Sequence, residues 1–152
     1  MIENREQRVI KPPVTHTYGA VTRIFQVIYV IVAWLFALGV LIQAYLAGMG
    51  IFTNVSWLKD HSNLGWELGN FSILMLILLF LGRFPRRIIL LHLLLIVDVV
   101  FQVGLVSFLR LFKVTALTAL HPANALLLFG IATILAYSAH KWTRSTRQAR
   151  RD

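Results

Sequence analysis

The sequence predicts an all-α integral membrane protein, an antiparallel four-helix bundle with both termini in the cytoplasm. Three observations predict this fold class. Of the 152 residues, 58% are hydrophobic and only 14% are charged, whereas a typical soluble domain carries about 25% charged residues. Four apolar stretches each approach the ~20 helical residues that cross the hydrocarbon core of a bilayer. Lys and Arg cluster at alternate ends of these stretches, which is the pattern of a multi-pass protein.

The limits of the uncharged stretches, and the turn residues between them, predict where the helices lie. We expect helices at about 20–49, 60–81, 87–112 and 121–142. Together they form one transmembrane domain, which a cytoplasmic tail over 1–19 precedes and a basic cytoplasmic tail over 143–152 follows. Pro85 lies in the basic turn between the second and third helices, where it prevents one continuous helix.

The basic residues predict the orientation. Twelve Lys or Arg side chains lie in the two terminal segments and the turn between the second and third helices, and three lie towards the other side. Because the side richer in Lys and Arg stays in the cytoplasm, we expect a multi-pass protein of the bacterial inner (plasma) membrane. The net charge of +9 then reflects topology and contact with the lipid bilayer, and not nucleic-acid binding. The chain has no cysteine, which excludes thiolate ligands and covalent attachment of haem.

His61 and His121 are the residues that most clearly indicate a cofactor. Each is predicted at the outer end of a helix, and each follows a glutamine, Gln43 or Gln102, by 18 or 19 positions. This spacing constitutes a weak two-helix internal repeat. In a square bundle the second and fourth helices are diagonal, so the two imidazoles can face each other and occupy both axial positions of a haem iron.

Two glycines follow His61 at helical spacing. Gly65 and Gly69 come four and eight positions after it, which places them on the same helix face. A face without side chains leaves room for a flat macrocycle. The alternative is that small residues let membrane helices approach closely and that the histidines are interfacial or capping residues.

The segment that begins at Leu120 resembles part of a haem A synthase. It reads LHPANALLLFG, and it is similar to that family's fourth-helix motif, a Leu-His followed by small and apolar residues. The separation of His61 and His121 is also about that of one four-helix half of such an enzyme. The resemblance implies a histidine ligand on the second and on the fourth helix. The chain departs from the family in lacking a glutamate shortly before His61 and in having four helices instead of eight, so the resemblance does not extend to haem-modifying catalysis. Small uncharacterised four-helix bacterial membrane proteins show a similar pattern.

Four further polar residues lie within the predicted helices. Asp98 is near the middle of the third helix, where a carboxyl costs ~2.5–3.5 kcal/mol on insertion scales. It is either a functional group or a neutral acid that hydrogen-bonds Gln102 or Gln43. Glu67 lies away from the His61 face, so it is expected at a solvated interface, against a neighbouring helix or against a partner subunit.

The other histidines are weaker candidates. His92 and His140 could form an inner pair near the cytoplasmic side. However, His92 is about 240° around its helix from Asp98 at ~100° per residue, which predicts that only one of the two faces the bundle axis. His140 is expected to be an interfacial anchor and His16 to face solvent.

Two function classes follow. The first is a membrane b-type cytochrome that binds haem b through His61 and His121, either as an electron-transfer protein or as the haem subunit of a larger complex, and not an enzyme by itself. The second is a cofactor-free structural or accessory subunit of a membrane complex. Both predict other membrane subunits as partners, because the chain has no sizeable extramembrane domain. A transporter is a weaker third class, because only one carboxyl lies near the midplane.

Overall fold

The computed structural model describes residues 19–112 and 115–148. In these ranges the chain forms four long helices and one short 3-10 helix. The bounds are α1 (Ala20–Phe52), α2 (Trp57–Leu81), α3 (Arg86–Leu111), the 3-10 helix (Thr115–Ala119) and α4 (Leu120–Gln148). All four long helices are apolar enough and long enough to cross a membrane. The prediction of an all-α protein is therefore confirmed for the described residues, which include four helices long and apolar enough to span a membrane. Residues 1–18 of the predicted N-terminal tail, which include His16, lie outside the described residues. Residues 149–152 lie outside them as well.

The helices differ from their predicted bounds mainly at α4. This helix continues past Trp142 to Gln148, because the residues after Trp142 include neither proline nor glycine. The Ser145 and Thr146 hydroxyls donate hydrogen bonds to the carbonyl of Trp142, so these polar side chains turn back onto the helix. Part of the sequence assigned to a basic tail is thus helical.

The turn between α2 and α3 is tied to α1. Pro85 ends the turn, and Arg83 has a φ of 50°, a left-handed conformation that is uncommon outside glycine. The Gln26 side-chain amide on α1 donates a hydrogen bond of 2.9 Å to the Gly82 carbonyl. Phe84 is buried and stacks at a tilt on Tyr29, with 4.7 Å between the ring centroids. These contacts hold the tight basic turn against the first turns of α1.

The helices form a square in which each contacts two neighbours. In the part of the chain that the structure describes, α1 contacts α2 and α4, and α3 contacts the same two helices. Helices α1 and α3 are therefore diagonal, and so are α2 and α4, as the sequence predicts. The fully buried apolar side chains come from all four helices: Tyr29, Phe36, Met75, Leu79, Leu95, Leu135.

His92 is a polar residue of this core. It is completely buried, with 3.0 Å from its Nδ1 to the Tyr29 hydroxyl and 3.0 Å from its Nε2 to the Ser72 carbonyl. Asp98 is buried too, with 7% of its surface exposed. His92 and Asp98 are therefore both buried, although they lie about 240° apart around α3 at ~100° per residue. The reason is that α3 packs between α2 and α4, so its buried arc covers much more than the bundle axis.

Candidate functional site

His61 and His121 come together at the end of the bundle where α1 leads into α2. Their ring centroids are 5.9 Å apart and the ring planes meet at 78°. The two residues stand on diagonal helices, α2 and α4, and are separated by sixty positions in the chain. The spacing argument thus identified two residues that the fold brings close together.

Each imidazole is oriented by a backbone carbonyl of the preceding helix. The Nδ1 atom of His61 is 3.0 Å from the Gln43 carbonyl on α1, and the Nδ1 atom of His121 is 3.1 Å from the Gln102 carbonyl on α3. Both carbonyls belong to the glutamines of the internal repeat, so the same hydrogen bond occurs in both halves of the chain. Because a helix backbone is rigid, these carbonyls fix the orientation of each imidazole ring.

These hydrogen bonds fix the tautomer of each ring. A carbonyl only accepts, so each Nδ1 carries the proton and each Nε2 carries a lone pair. Nothing among the described residues hydrogen-bonds the Nε2 of His61. The Nε2 of His121 has one long contact, 3.4 Å to the amide nitrogen of Gln102, whose better acceptor is the His121 carbonyl at 3.0 Å. Both histidines therefore present an Nε2 lone pair that is available to a metal.

A cavity of about 830 Å³ lies beside the two rings. Its volume is in the ~300–1,000 Å³ range of ligand and cofactor sites. The wall is mostly apolar and comes from all four helices. Its polar and charged members are Gln43, Lys59, His61, Ser62, Gln102 and His121. The cavity is thus a largely hydrophobic space with two nitrogen ligands on its wall and one cation.

The ligand set determines which metal species could bind. In the described residues no group of three or more His, Cys, Asp and Glu side chains is placed to hold a metal ion. Two imidazoles alone suit a metal that already has four ligands in a plane, which is the state of iron in a tetrapyrrole. Metal–imidazole bonds of ~2.0–2.1 Å place two in-line rings with their centroids roughly 6 Å apart. The observed 5.9 Å fits this requirement.

The two glycines do different things. Gly65 lines the cavity, and a Cβ atom there would come within 2.9 Å of the Gln43 amide nitrogen. Gly69 lies outside the cavity wall, and a Cβ atom there would meet only Val99, at an ordinary contact distance of 3.9 Å. Helices α1 and α2 approach more closely elsewhere, at Gly50 against Leu58 and at Gly39, where a Cβ atom would be 2.7 Å from Leu68. Space for a ligand is thus a reason for Gly65, whereas Gly69 has no such role.

Asp98 has a different partner from those predicted. The Gln102 amide nitrogen donates to the His121 carbonyl, and its oxygen accepts a 2.8 Å hydrogen bond from Asn124. Asn124 also hydrogen-bonds the Asp98 carboxyl, whose Oδ2 is buried without a partner. The Gln43 side-chain oxygen is likewise buried and unpartnered, so it does not bind Asp98 either.

Asn124 is a residue of this hydrogen-bonded cluster that the sequence analysis did not single out. It links the Asp98 carboxyl to Gln102, and Gln102 in turn holds the backbone carbonyl and the ring of His121. The available signal was its spacing, since a residue three positions after His121 shares its helix face.

The remaining predicted residues are not part of this site. Glu67 is exposed on α2, and His140 is exposed near the end of α4. His92 is buried with both ring nitrogens hydrogen-bonded, so the structure does not bring His92 and His140 together as an inner ligand pair.

The fold and the site define a class, namely a helical protein with four potential membrane spans and a two-histidine cavity. A protein-family model described as a family of unknown function (DUF6220) matches residues 43–109. This match covers less than half of the chain. It includes Gln43, His61 and Gln102 and ends before His121. No curated protein matches the chain, and no solved structure does.

Proposed function

We propose that this protein is a membrane b-type cytochrome, an electron-transfer protein or the haem subunit of a larger complex, with His61 and His121 as the axial ligands. One observation carries the proposal. Two imidazoles with 5.9 Å between their centroids each have Nδ1 tied to a backbone carbonyl and Nε2 available beside an apolar cavity. Such an orienting hydrogen bond on the second ring nitrogen is usual for histidines that bind metals.

The residues of the site would act mainly by holding and orienting. The two neutral imidazoles would hold the iron of a haem, and a haem held in this way would supply one-electron transfer and not oxygen binding. The carbonyls of Gln43 and Gln102 keep each Nδ1 protonated and leave each Nε2 lone pair free. Lys59 supplies the positive charge on the cavity wall, which suits the carboxylates of a haem. The apolar remainder of the wall excludes water.

The proposal includes a position in the cell. The twelve-to-three distribution of Lys and Arg supports an antiparallel bundle in the inner membrane with both termini in the cytoplasm. In that orientation the histidine pair lies in the outer leaflet. Electron exchange with other membrane subunits would take place at that depth.

The test is a reduced-minus-oxidised absorption spectrum of the protein purified in mild detergent from cells supplied with haem precursor. We expect the bands of a six-coordinate b-type haem, and His61→Ala and His121→Ala should abolish them. His140→Ala is the matched control, since His140 is an exposed histidine outside the site. Retention of the spectrum in both His61→Ala and His121→Ala would contradict the assignment of the ligands.

A cofactor-free accessory subunit is the second candidate function. One observation favours it: the side chain of Gln102 already hydrogen-bonds His121 and Asn124, so that side of the cavity is held together by the chain's own residues. Protein without haem absorbance after gentle isolation, together with His61→Ala and His121→Ala proteins that fold normally, would decide for this function.

A further inference from the structure

The outward face of α2 differs from the lipid-facing surfaces of the other helices. In α1 every exposed residue from Ile24 to Tyr45 is apolar or aromatic, as a surface in contact with lipid should be. Beyond its first six residues, α2 has three exposed polar or acidic residues, namely Asn63, Glu67 and Asn70. This helix is also the least covered by its own bundle. Of its most hydrophobic stretch 17% is buried, against 39% for α1.

These polar residues lie within the span and not beyond it. If Leu81, which precedes the basic turn, marks one edge of the hydrocarbon, Glu67 lies ~21 Å from that edge at 1.5 Å per residue. The core is ~30 Å thick, so Glu67 is inside the hydrocarbon and Asn70 is close to its middle. Polar groups at such depths face protein or water and rarely face lipid.

The three residues belong to a longer seam with coiled-coil spacing. From Asn63 to Leu81, one row of exposed positions on α2 is spaced in alternating steps of four and three residues. The seam, as we call it, consists of Asn63, Glu67, Asn70, Leu74, Ile77 and Leu81, all exposed. This is the a/d pattern that packs one helix against another. The bundle uses the opposite side of α2, where Ser72, Met75 and Leu79 are buried.

The occupant that fits this seam is a second copy of the same helix. Copies of one multi-pass protein insert with the same orientation, so two α2 helices that meet face to face are parallel. In a parallel pair each seam residue meets its own counterpart. Asn63 then faces Asn63 and Asn70 faces Asn70, and an asparagine amide both donates and accepts hydrogen bonds. By the same rule Glu67 faces Glu67, and each carboxyl lies one helical turn from the asparagine layers, whose amide groups can donate to it.

We propose that the protein forms a parallel homodimer in which the exposed seam of α2, from Asn63 to Leu81, packs against the same seam of a second copy. The polar layers at Asn63, Glu67 and Asn70 set the register, and Leu74, Ile77 and Leu81 supply the apolar packing. The histidine cavity faces the inside of each bundle, so the dimer places two cavities on either side of the paired helices.

The absence of cysteine allows a direct test by single-cysteine cross-linking of the full-length protein in native membranes. Leu74→Cys and Ile77→Cys lie on the seam and leave its polar residues unchanged. The matched controls are Val97→Cys on α3 and Ile134→Cys on α4, which replace apolar side chains that are 66% and 57% exposed. We expect oxidation to give a disulfide-linked band of twice the chain's mass at least fivefold more efficiently at the seam than at the controls.

A second variant tests the register. Asn70→Leu in the Ile77→Cys background should reduce cross-linking several-fold, whereas Leu90→Ala on α3 should not. Equal cross-linking at seam and control positions, or adducts whose mass identifies a different protein on the seam, would overturn the homodimer. None of these measurements depends on bound haem, so they are independent of the proposed function.

Discussion

The Tyr29–His92–Ser72 contact in the core allows a quantitative test of the packing. Tyr29→Phe removes one oxygen and leaves the ring that packs on Phe84. The Tyr29 hydroxyl is the hydrogen-bond donor for the Nδ1 of His92 at 3.0 Å, because the Nε2 of His92 already donates to the Ser72 carbonyl. Both side chains are 0% exposed, so neither lipid headgroups nor water can replace the lost partner.

The expected cost follows from this geometry. A buried acceptor that loses its partner costs about 1–3 kcal/mol in proteins generally, and hydrogen bonds between membrane helices average about 0.6 kcal/mol with a maximum near 1.7. Because the Nδ1 of His92 has no alternative donor among the described residues, we expect a loss of about 1–2 kcal/mol in the free energy of unfolding.

The assay is reversible unfolding in mixed micelles with increasing SDS, followed by tryptophan fluorescence. Tyr137→Phe is the matched control, since Tyr137 is 60% exposed, and we expect it to change the unfolding free energy by less than about 0.5 kcal/mol. Equal effects of Tyr29→Phe and Tyr137→Phe would refute the view that His92 is a hydrogen-bonded structural residue. The same view makes His92→Ala unsuitable as a control for haem binding, because that change would disrupt the core.

Three further predictions concern topology, the buried carboxyl and the glycines. A reporter that is active only outside the cytoplasm, fused after Thr146, should be silent, and activity there would reverse the orientation. Asp98→Asn should preserve folding because Asn124 can still hydrogen-bond an amide. Asp98→Leu should lower the free energy of unfolding in SDS by about 1–3 kcal/mol. Equal large losses in the two variants would indicate an ionised carboxylate. Gly65→Val should displace the Gln43 amide and lower the haem content per chain, whereas Gly69→Ala should leave the haem content unchanged. Equal haem content in the two variants would show that Gly65 does not keep the cavity open.

Much of the architecture was predictable because it depends on properties that are local in the sequence. The length of each uncharged stretch and the position of Pro85 predicted four helices, and the structure has them at nearly the expected places. The histidine pair was predictable for a similar reason. His61 and His121 both begin helices on the same side, and an up-and-down connection of four helices makes those two helices diagonal.

The hydrogen-bond partners inside the bundle were less predictable. Asp98 was expected to be either a functional group or a neutral acid bonded to Gln102 or Gln43, but its hydrogen-bond partner is Asn124 on α4. Likewise His92 was expected to compete with Asp98 for the axis, yet each is buried against different neighbours. A single helix shows which residues share a face, but it does not show how wide the buried arc is or which neighbouring helix supplies the partner.

The sequence by itself thus determined that the helices are apolar enough to span a membrane and how many there are. It also determined which two histidines meet. Tertiary structure alone decided that carbonyls of Gln43 and Gln102 orient the imidazoles, that Gly65 and not Gly69 lines the cavity, and that the polar side of α2 faces outward. The physical reason is that burial in lipid depends on composition over ~20 residues, whereas a hydrogen bond depends on distances of ~3 Å between helices whose rotation and offset only packing can set.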